Sequence, residues 1–492
     1  MNKPKQQERG ASPAQPAKVL KRDENPVKDK QAGEVREQTG HSSSNGQGDL
    51  QSPRGRWAWT EESVWTSRML EALEQGVKGG MWFSLIDKVF KPTNLSSAWE
   101  AVRRNDGASG VDDVTIGMYE RHLQANLDKL ACVLKDQTYR PQAVKRVEIP
   151  KPGTNQTRPL GIPTVCDRVV QKALLNVIEP IFERNFARHS YGFRPGRSCK
   201  DALRRVDELL KSGYRYVVDA DLQSYFDTID HGRLMKEVSK KIADGRVLKL
   251  IELFLNQGVM EEHREWKPTT DSQRTGSQLT GSQRTGTPQG GVISPLLSNI
   301  FLDELDHTME QQGREMVRYA DDLVILCRTQ DEAEEVLEEL RQWTTRVGLT
   351  LHPTKTRIVD TASDSFEFLG YRLDRGMKFP RDKSMRKLKD SIRSKTRRTE
   401  GRSLPCIIKD VNRTMRGWFE YFKHSHRNTF GSIDGWARMR LRSILRKRQG
   451  KKGPGRGSDH HRWPNRYFAE QGLYTLKEAR ARILKPVVTQ TC

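Results

Sequence analysis

The stretch Met316-Val317-Arg318-Tyr319-Ala320-Asp321-Asp322-Leu323-Val324-Ile325-Leu326 sets two adjacent aspartates in the middle of an apolar run. Val, Ile, Leu and Tyr are typical of buried β-strands, so the run predicts two strands that meet at the acidic pair. Ionised carboxylates are costly in such surroundings unless they are paired or bind metal. Two interpretations are open: an exposed, inert hairpin turn, or part of a metal site that needs a third acid.

A candidate for the third acid lies in an earlier strand, residues 214–221, which is rich in Tyr and Val. Its Asp219 and Asp221 are two residues apart and therefore project from the same face. If this strand lies beside 316–326, the carboxylates converge. Convergent carboxylates can hold two Mg²⁺ ions, which clamp the attacking and leaving oxygens of a phosphoryl transfer. Strand geometry alone leaves Asp219 and Asp221 as alternatives.

The charge of the chain is concentrated at one end. Its 86 Lys and Arg exceed its 63 Asp and Glu, and the net charge of +23 favours a polyanionic partner. Residues 381–492 hold 30 of the cations and 9 of the acids, a net charge of +21. The polyanion-binding surface is therefore expected in the C-terminal quarter.

The six cysteines are scattered without metal-ligand spacing, which indicates a reducing compartment and no structural zinc. The chain has no apolar run long enough for a membrane span and no apolar signal segment at its N-terminus. We therefore expect no membrane partner.

Composition and periodicity divide the chain into four regions. Residues 1–55 are polar and almost free of aromatics, which predicts a disordered arm. Residues 56–380 form the main α/β region, in which 272–286 is a low-complexity loop of three five-residue copies. A basic helical region, 381–450, follows. Residues 451–492 are predicted to be a short appendage that contacts DNA.

Three motifs occur in a fixed order along the chain. Asp221 is followed five residues later by Phe226, the loop 286–291 reads Gly-Thr-Pro-Gln-Gly-Gly, and 319–322 reads Tyr-Ala-Asp-Asp. In this order and spacing, across roughly residues 80–440, the chain resembles the reverse transcriptases encoded by bacterial and organellar group II introns.

This resemblance implies an α+β right-hand polymerase, with fingers, a palm built on a split βαβ sheet and an α-helical thumb. It implies that Asp221, Asp321 and Asp322 are the catalytic carboxylates and the ligands of two Mg²⁺ ions. The spacing to Phe226 favours Asp221 over Asp219. The residues implied to bind the dNTP are Lys151 and Arg158 at the triphosphate, Phe226 as the gate against a ribose 2′-OH, Gln289 near the templating base and Lys355 near the pyrophosphate.

The basic quarter resembles the maturase "domain X", which serves as the thumb and binds intron RNA. Its cations alternate with apolar residues at helical spacing, so that the apolar residues pack while the cations face phosphates. A basic, aromatic loop at 190–198 has two interpretations: it is of a kind that contacts a nucleic-acid strand, and it is equally compatible with a packed connector. The residues expected to bind RNA are Arg194, Arg197, Arg413, Arg416, Arg438, Arg440, Arg442, Arg446 and Lys447.

The chain is thus expected to copy intron RNA into DNA for intron mobility and to assist splicing as a maturase. Its expected partners are group II intron RNA, a DNA target or primer and dNTPs, in a bacterial cytoplasmic, nucleoid-associated ribonucleoprotein; a homodimer is left open. Many relatives carry an HNH endonuclease, whose Cys pairs are missing here, so priming from an existing nick or fork end is implied.

Two alternatives remain. One is a non-catalytic RNA-binding splicing factor, which would need only the basic surface. The other is a reverse transcriptase recruited to phage defence or DNA repair.

Overall fold

The computed structural model describes residues 54–150, 157–261, 264–266, 285–287, 289–455 and 457–484. Three predictions fall wholly or mostly outside these residues: the disordered arm up to residue 53, the triphosphate contact of Lys151, and the repeat loop up to residue 284. They stay predictions.

The described part of the chain combines helices with three small sheets. None of its helices is long and apolar enough to cross a membrane. The helices, numbered in chain order, are α1 (Ser67–Gln75), α2 (Ile86–Val89), α3 (Pro92–Asn105), α4 (Ile116–Glu120), α5 (Leu123–Lys135), α6 (Val165–Glu183), α7 (Cys199–Lys211), α8 (Tyr225–Thr228), α9 (His231–Ser239), α10 (Gly245–Leu255), α11 (Ser294–Gln311), α12 (Gln330–Val347), α13 (Asp382–Lys395), α14 (Leu404–Phe422), α15 (Asn428–Arg448), α16 (Asp459–Arg462), α17 (Asn465–Glu470) and α18 (Leu476–Leu484).

The strands fall into an N-terminal sheet of order β2-β1-β4-β5, a central sheet of order β6-β7-β3-β8 and a small sheet of order β11-β10-β9. The strands are β1 (Val144–Pro150), β2 (Thr157–Ile162), β3 (Tyr216–Asp221), β4 (Val259–Glu261), β5 (Arg264–Trp266), β6 (Glu315–Tyr319), β7 (Asp322–Cys327), β8 (Arg357–Asp360), β9 (Ser365–Phe368), β10 (Tyr371–Asp374) and β11 (Met377–Pro380).

Helix α3 illustrates how the N-terminal helices fold. Its buried residues Leu95, Ala98, Trp99 and Val102 recur at helical spacing and form one apolar stripe. Pro92 lies in its first turn, where the missing N–H costs no hydrogen bond. The helix packs on α6, which carries the chain from the β1–β2 hairpin towards the central sheet.

The central sheet is a split βαβ unit. Strand β7, helix α12 and strand β8 follow one another in sequence, and β3 lies between β7 and β8, antiparallel to both. Helix α12 begins at the capping residue Thr329, whose side chain accepts a hydrogen bond from the Glu332 N–H, and ends at Gly348 in the left-handed conformation. The predicted α+β class with a split βαβ sheet is confirmed.

Side chains of the central sheet alternate between two apolar layers. Val218 and Ala220 of β3 join the core that contains α11 and α12. Val217 joins a second core that contains residues of α7 and of the strands β9 and β10. Because β-strand side chains alternate, Asp219 and Asp221 lie on the Val217 face.

The C-terminal helices have a core of their own. Residues of α13, α14 and α15 pack around Phe430 and Ile433, and Trp463, Phe468 and Leu476 complete the same core. The predicted boundary at residue 450 is therefore not a boundary of packing. The Gly-rich segment after α15 packs on that helix instead, since a Cβ on Gly455 would lie 2.4 Å from the Arg442 Cβ.

Candidate active site

The two acidic stretches lie side by side in the central sheet. Asp221, the last residue of β3, stands opposite Asp322, the first residue of β7. Asp321 lies in the turn between β6 and β7, beside Ala320, whose φ of +59° is left-handed. The acidic pair is thus at a hairpin turn, as the first interpretation expected, but the turn is not isolated, because β3 brings the third acid to it.

Burial and mutual repulsion raise the pKa of these carboxyl groups. Burial raises the pKa of Asp322 to about 6, and the charges of Asp321 and Asp221 add to the effect. Burial also raises the pKa of Asp321, again with a contribution from Asp221. Asp322 is nevertheless exposed at the protein surface, so water reaches this carboxyl group and partly screens the neighbouring charges. A divalent cation bound between these carboxylates would relieve their mutual repulsion.

The strand register favours Asp221 over Asp219 as the third acid. Asp219 stands opposite Val324 of β7 and Arg357 of β8, whereas Asp221 stands opposite Asp322. Burial raises the pKa of Asp219 to about 6, and the Arg357 cation opposes the shift.

Lys355 is the cationic partner of Asp221. Its Nζ lies 2.7 Å from Asp221 Oδ2, and 59% of its side chain is exposed. Within the described ranges no three acidic, His or Cys side chains are grouped closely enough to hold a metal ion as they stand. The donor set nevertheless fits a hard cation, since it consists of carboxylates, and an exposed lysine can swing away from Asp221 at little cost.

The Gly-rich loop, residues 286–291, is hydrogen-bonded through its backbone to Phe226 on one side and to strand β2 on the other. The Thr287 N–H donates to the Phe226 carbonyl oxygen at 2.7 Å, and the Gly161 N–H donates to the Gln289 carbonyl oxygen at 2.6 Å. A Cβ on Gly290 would lie 2.2 Å from the Gly161 carbonyl oxygen, and the φ of Gly290 is +113°. Only glycine allows this approach.

The other predicted dNTP residues are only partly described by the structure. Phe226 is half-buried, with its ring centroid 5.5 Å from that of Tyr225. Arg158 is exposed on β2, three residues before the Gly161 that binds the loop. Their contacts with a nucleotide stay predictions.

Two family models match the chain. Residues 149–373 match the family described as "Reverse transcriptase (RNA-dependent DNA polymerase)", and residues 385–467 match the "Group II intron, maturase-specific domain". Protein YkfC of Escherichia coli (strain K12) is 33% identical over 370 residues, which cover 66% of this chain and 88% of that protein. The chain belongs to the group II intron reverse transcriptase and maturase family.

Further relatives agree with this membership over shorter lengths. The group II intron-encoded protein LtrA of Lactococcus lactis subsp. cremoris is 36% identical over 232 residues, which cover 45% of this chain and 35% of that protein. The mitochondrial nuclear intron maturase 2 of Arabidopsis thaliana is 28% identical over 39% of this chain and 29% of its own length. The predictions of an RNA-directed DNA polymerase domain and a maturase domain are confirmed.

Arg318 supports the turn between β6 and β7, residues 320–322, from within the core. Its side chain is fully buried, and its Nε and Nη2 donate to the two carboxylate oxygens of Asp306 on α11. Its Nη1 donates to Asn299 Oδ1 at 3.0 Å and to the Ala320 carbonyl oxygen at 2.9 Å. No role was predicted for Arg318, although a cation inside an apolar strand itself indicates a buried partner.

Arg194 does not present its guanidinium to RNA, which corrects a prediction. Its side chain is 3% exposed and forms an ion pair with Glu183, at 2.8 Å between Nη2 and Oε1. Its Nη1 donates to the carbonyl oxygens of Ala187 at 2.6 Å and Ser190 at 2.8 Å. Half-buried Arg197 likewise donates to Ser190, at 3.2 Å. A buried, fully bonded cation holds a loop in shape rather than facing a phosphate.

Arg442 in the maturase domain needs the same correction. It is 2% exposed, and it donates to the Trp463 carbonyl oxygen and to Asn465 Oδ1, both at 2.8 Å. Its guanidinium also lies over the Phe468 ring. Sequence periodicity cannot distinguish a cation that faces solvent from one that anchors a later segment of the chain.

The remaining predicted RNA contacts differ in exposure. Arg413, Arg416 and Lys447 are exposed, and their RNA contacts stay predictions. Arg438, Arg440 and Arg446 are half-buried. Arg440 donates to the Thr396 carbonyl oxygen and Arg446 donates to Asp459 Oδ2, both at 2.7 Å.

We predict that Asp322→Asn stabilises the protein above about pH 6 when no divalent cation is present. The pKa of Asp322 is about 6 in the folded chain, and an unfolded aspartate titrates near pH 4. The folded state therefore binds the proton more tightly, and the carboxylate destabilises the fold increasingly as the pH rises from about 4 through 6.

Thermal unfolding of the variant and the wild type between pH 5 and pH 8 checks this. The melting temperature should be higher for the variant at pH 8, and the difference should shrink as the pH falls below 6. Asp136→Asn, at an exposed acid after α5, is the control and should not reproduce the gain. A constant difference across the pH range would contradict the prediction.

Proposed function

We propose that this chain copies intron RNA into DNA and that Asp221, Asp321 and Asp322 are the ligands of two Mg²⁺ ions in its polymerase site. The observation that carries the proposal is the register of β3 and β7, in which Asp221 stands opposite Asp322. Asp322 belongs to the turn of residues 320–322, which we call the proposed catalytic turn. The donor set contains only carboxylate oxygens, the ligands that Mg²⁺ prefers.

The bound ions would activate the primer 3′-OH and neutralise charge on the departing pyrophosphate. The chain's own part is to bind and to orient. The exposed side chain of Lys355 leaves Asp221 and binds the phosphates of the dNTP, to which it presents a mobile positive charge. Arg158 grips the triphosphate, and Phe226, fixed through the backbone to Thr287, excludes a ribose 2′-OH.

The maturase domain offers a basic cleft for intron RNA. The cleft has a volume of about 460 Å³ and is lined by Lys409, Arg413 and Arg416, all exposed, together with Asn412 and Gly472. Lys409 was not among the predicted contacts. Clustered cations around an open cleft bind phosphates and release counterions. We propose that this surface binds the intron RNA, both for splicing and for copying.

We predict that the purified protein extends a DNA primer on an RNA template with dNTPs and Mg²⁺, and that Asp321→Asn/Asp322→Asn abolishes extension. Removing two of three carboxylates removes the charge that holds the ions. The measurement is the yield of full-length DNA on a denaturing gel.

The matched control is Glu334→Gln/Glu335→Gln, which neutralises two adjacent exposed acids on α12 and should extend as the wild type does. If the wild type is folded and binds RNA but makes no product, the polymerase proposal is wrong and a non-catalytic splicing factor is favoured.

We also predict that Lys409→Ala/Arg413→Ala weakens binding to a structured group II intron RNA. The slope of log affinity against log salt is negative, and each lost phosphate contact should make it shallower by about 0.7–0.9. Filter binding across a salt series measures this slope.

Arg442→Met is the contrasting variant, because Arg442 is buried. It should lower the melting temperature while the folded protein keeps the wild-type slope. If Lys409→Ala/Arg413→Ala leaves the slope unchanged, this cleft is not the RNA surface.

A further inference from the structure

The loop before α7 is attached to the strand that leads into the catalytic turn. The Tyr191 N–H donates to the Arg318 carbonyl oxygen at 2.9 Å, and the Arg318 N–H donates to the His189 carbonyl oxygen at 3.0 Å. Ser190 forms a parallel bridge with Arg318. The segment 189–191 therefore extends the central sheet beyond β6.

The next residue fixes the loop against the turn itself. A Cβ on Gly192 would lie 2.1 Å from the Ala320 N and 2.8 Å from the Tyr319 carbonyl carbon, so only glycine fits. Asn299 Nδ2 donates to the Gly192 carbonyl oxygen at 2.8 Å, and the same Asn299 accepts from Arg318. One polar group thus binds both the loop and the buried support of the turn.

Phe193 follows Gly192 and combines two unfavourable features. Its φ of +56° is left-handed, which is a genuine outlier for a bulky side chain. The residue is also 46% exposed, so packing within the chain offsets the strain less than it would for a buried phenylalanine. Strained residues that the surrounding structure holds in place are concentrated at functional sites.

The two arginines of the loop stabilise this conformation. Arg194 is buried on Glu183 and on backbone carbonyl oxygens, and Arg197 donates back to Ser190. The loop was expected to contact nucleic acid through these cations. The structure turns one cation inwards, holds the other partly within the loop, and leaves the Phe193 ring exposed.

We propose that the Phe193 ring packs against the primer and template duplex beside the catalytic turn and positions it for extension. The inference rests on the proposed polymerase function. The 3′-OH has to reach Asp321, so the duplex must pass the turn that Gly192 contacts. An aromatic ring contacts nucleic acid without reading its sequence, which suits an enzyme that copies every base. Phe193 is a positioning residue and takes no part in the chemistry.

The test compares Phe193→Asn with the wild type. Asparagine tolerates left-handed backbone, so this variant keeps the loop and loses only the ring. We expect a melting temperature equal to or above that of the wild type. Affinity for an RNA–DNA hybrid should fall about ten-fold, the usual effect of losing one stacking contact. The loss should appear in KM for the duplex more than in kcat.

Fluorescence anisotropy with a labelled hybrid measures affinity without catalysis, and steady-state primer extension gives KM and kcat. Phe193→Tyr should retain most of the wild-type affinity. Phe83→Asn, at an exposed aromatic outside the loop, should bind as the wild type does. The salt dependence of binding should be unchanged in Phe193→Asn, because no charge is lost.

If Phe193→Asn binds the hybrid with wild-type affinity, the inference is overturned. If its melting temperature is also lower than that of the wild type, the role of Phe193 is purely structural. An inactive wild type whose hybrid binding still depends on Phe193 would contradict the proposed polymerase instead.

Discussion

The ion pair between Arg318 and Asp306 is the interaction on which the proposed catalytic turn, residues 320–322, depends. Both groups are buried in the core, where an unpaired charge would be unstable. Its Nη1 donates to Asn299 and to the carbonyl oxygen of Ala320, so α11 is connected directly to that turn. Through its backbone, Arg318 also holds the segment that leads to Gly192. A single buried cation therefore fixes the helix, the turn and the loop in one arrangement.

This rigidity explains how three acidic residues are brought to one turn of the sheet. The apolar strands on either side keep Asp221 opposite Asp322, although burial and repulsion raise the pKa of Asp322 to about 6. Lys355 offsets part of the negative charge through its ion pair with Asp221. The site thus retains charge that opposes folding, which is usual where function requires a strained arrangement.

The sequence was sufficient for the parts of the structure that depend on local pattern. Runs of Val, Ile, Leu and Tyr around Asp221 and Asp322 predicted the strands that the structure contains. The partners of long side chains could not be predicted, because they depend on contacts between distant segments. Arg194 and Arg442 have the same sequence context as exposed cations, yet each is anchored in the core.

The most direct test of this account is the free energy of unfolding of Arg318→Met, measured by urea denaturation. The account predicts a loss of about 3–5 kcal/mol, because Asp306 is left as an uncompensated buried charge. Arg341→Met removes an exposed pair with Glu338 and should cost less than about 1 kcal/mol. If the loss in Arg318→Met is no larger than in Arg341→Met, the buried pair does not support the proposed catalytic turn.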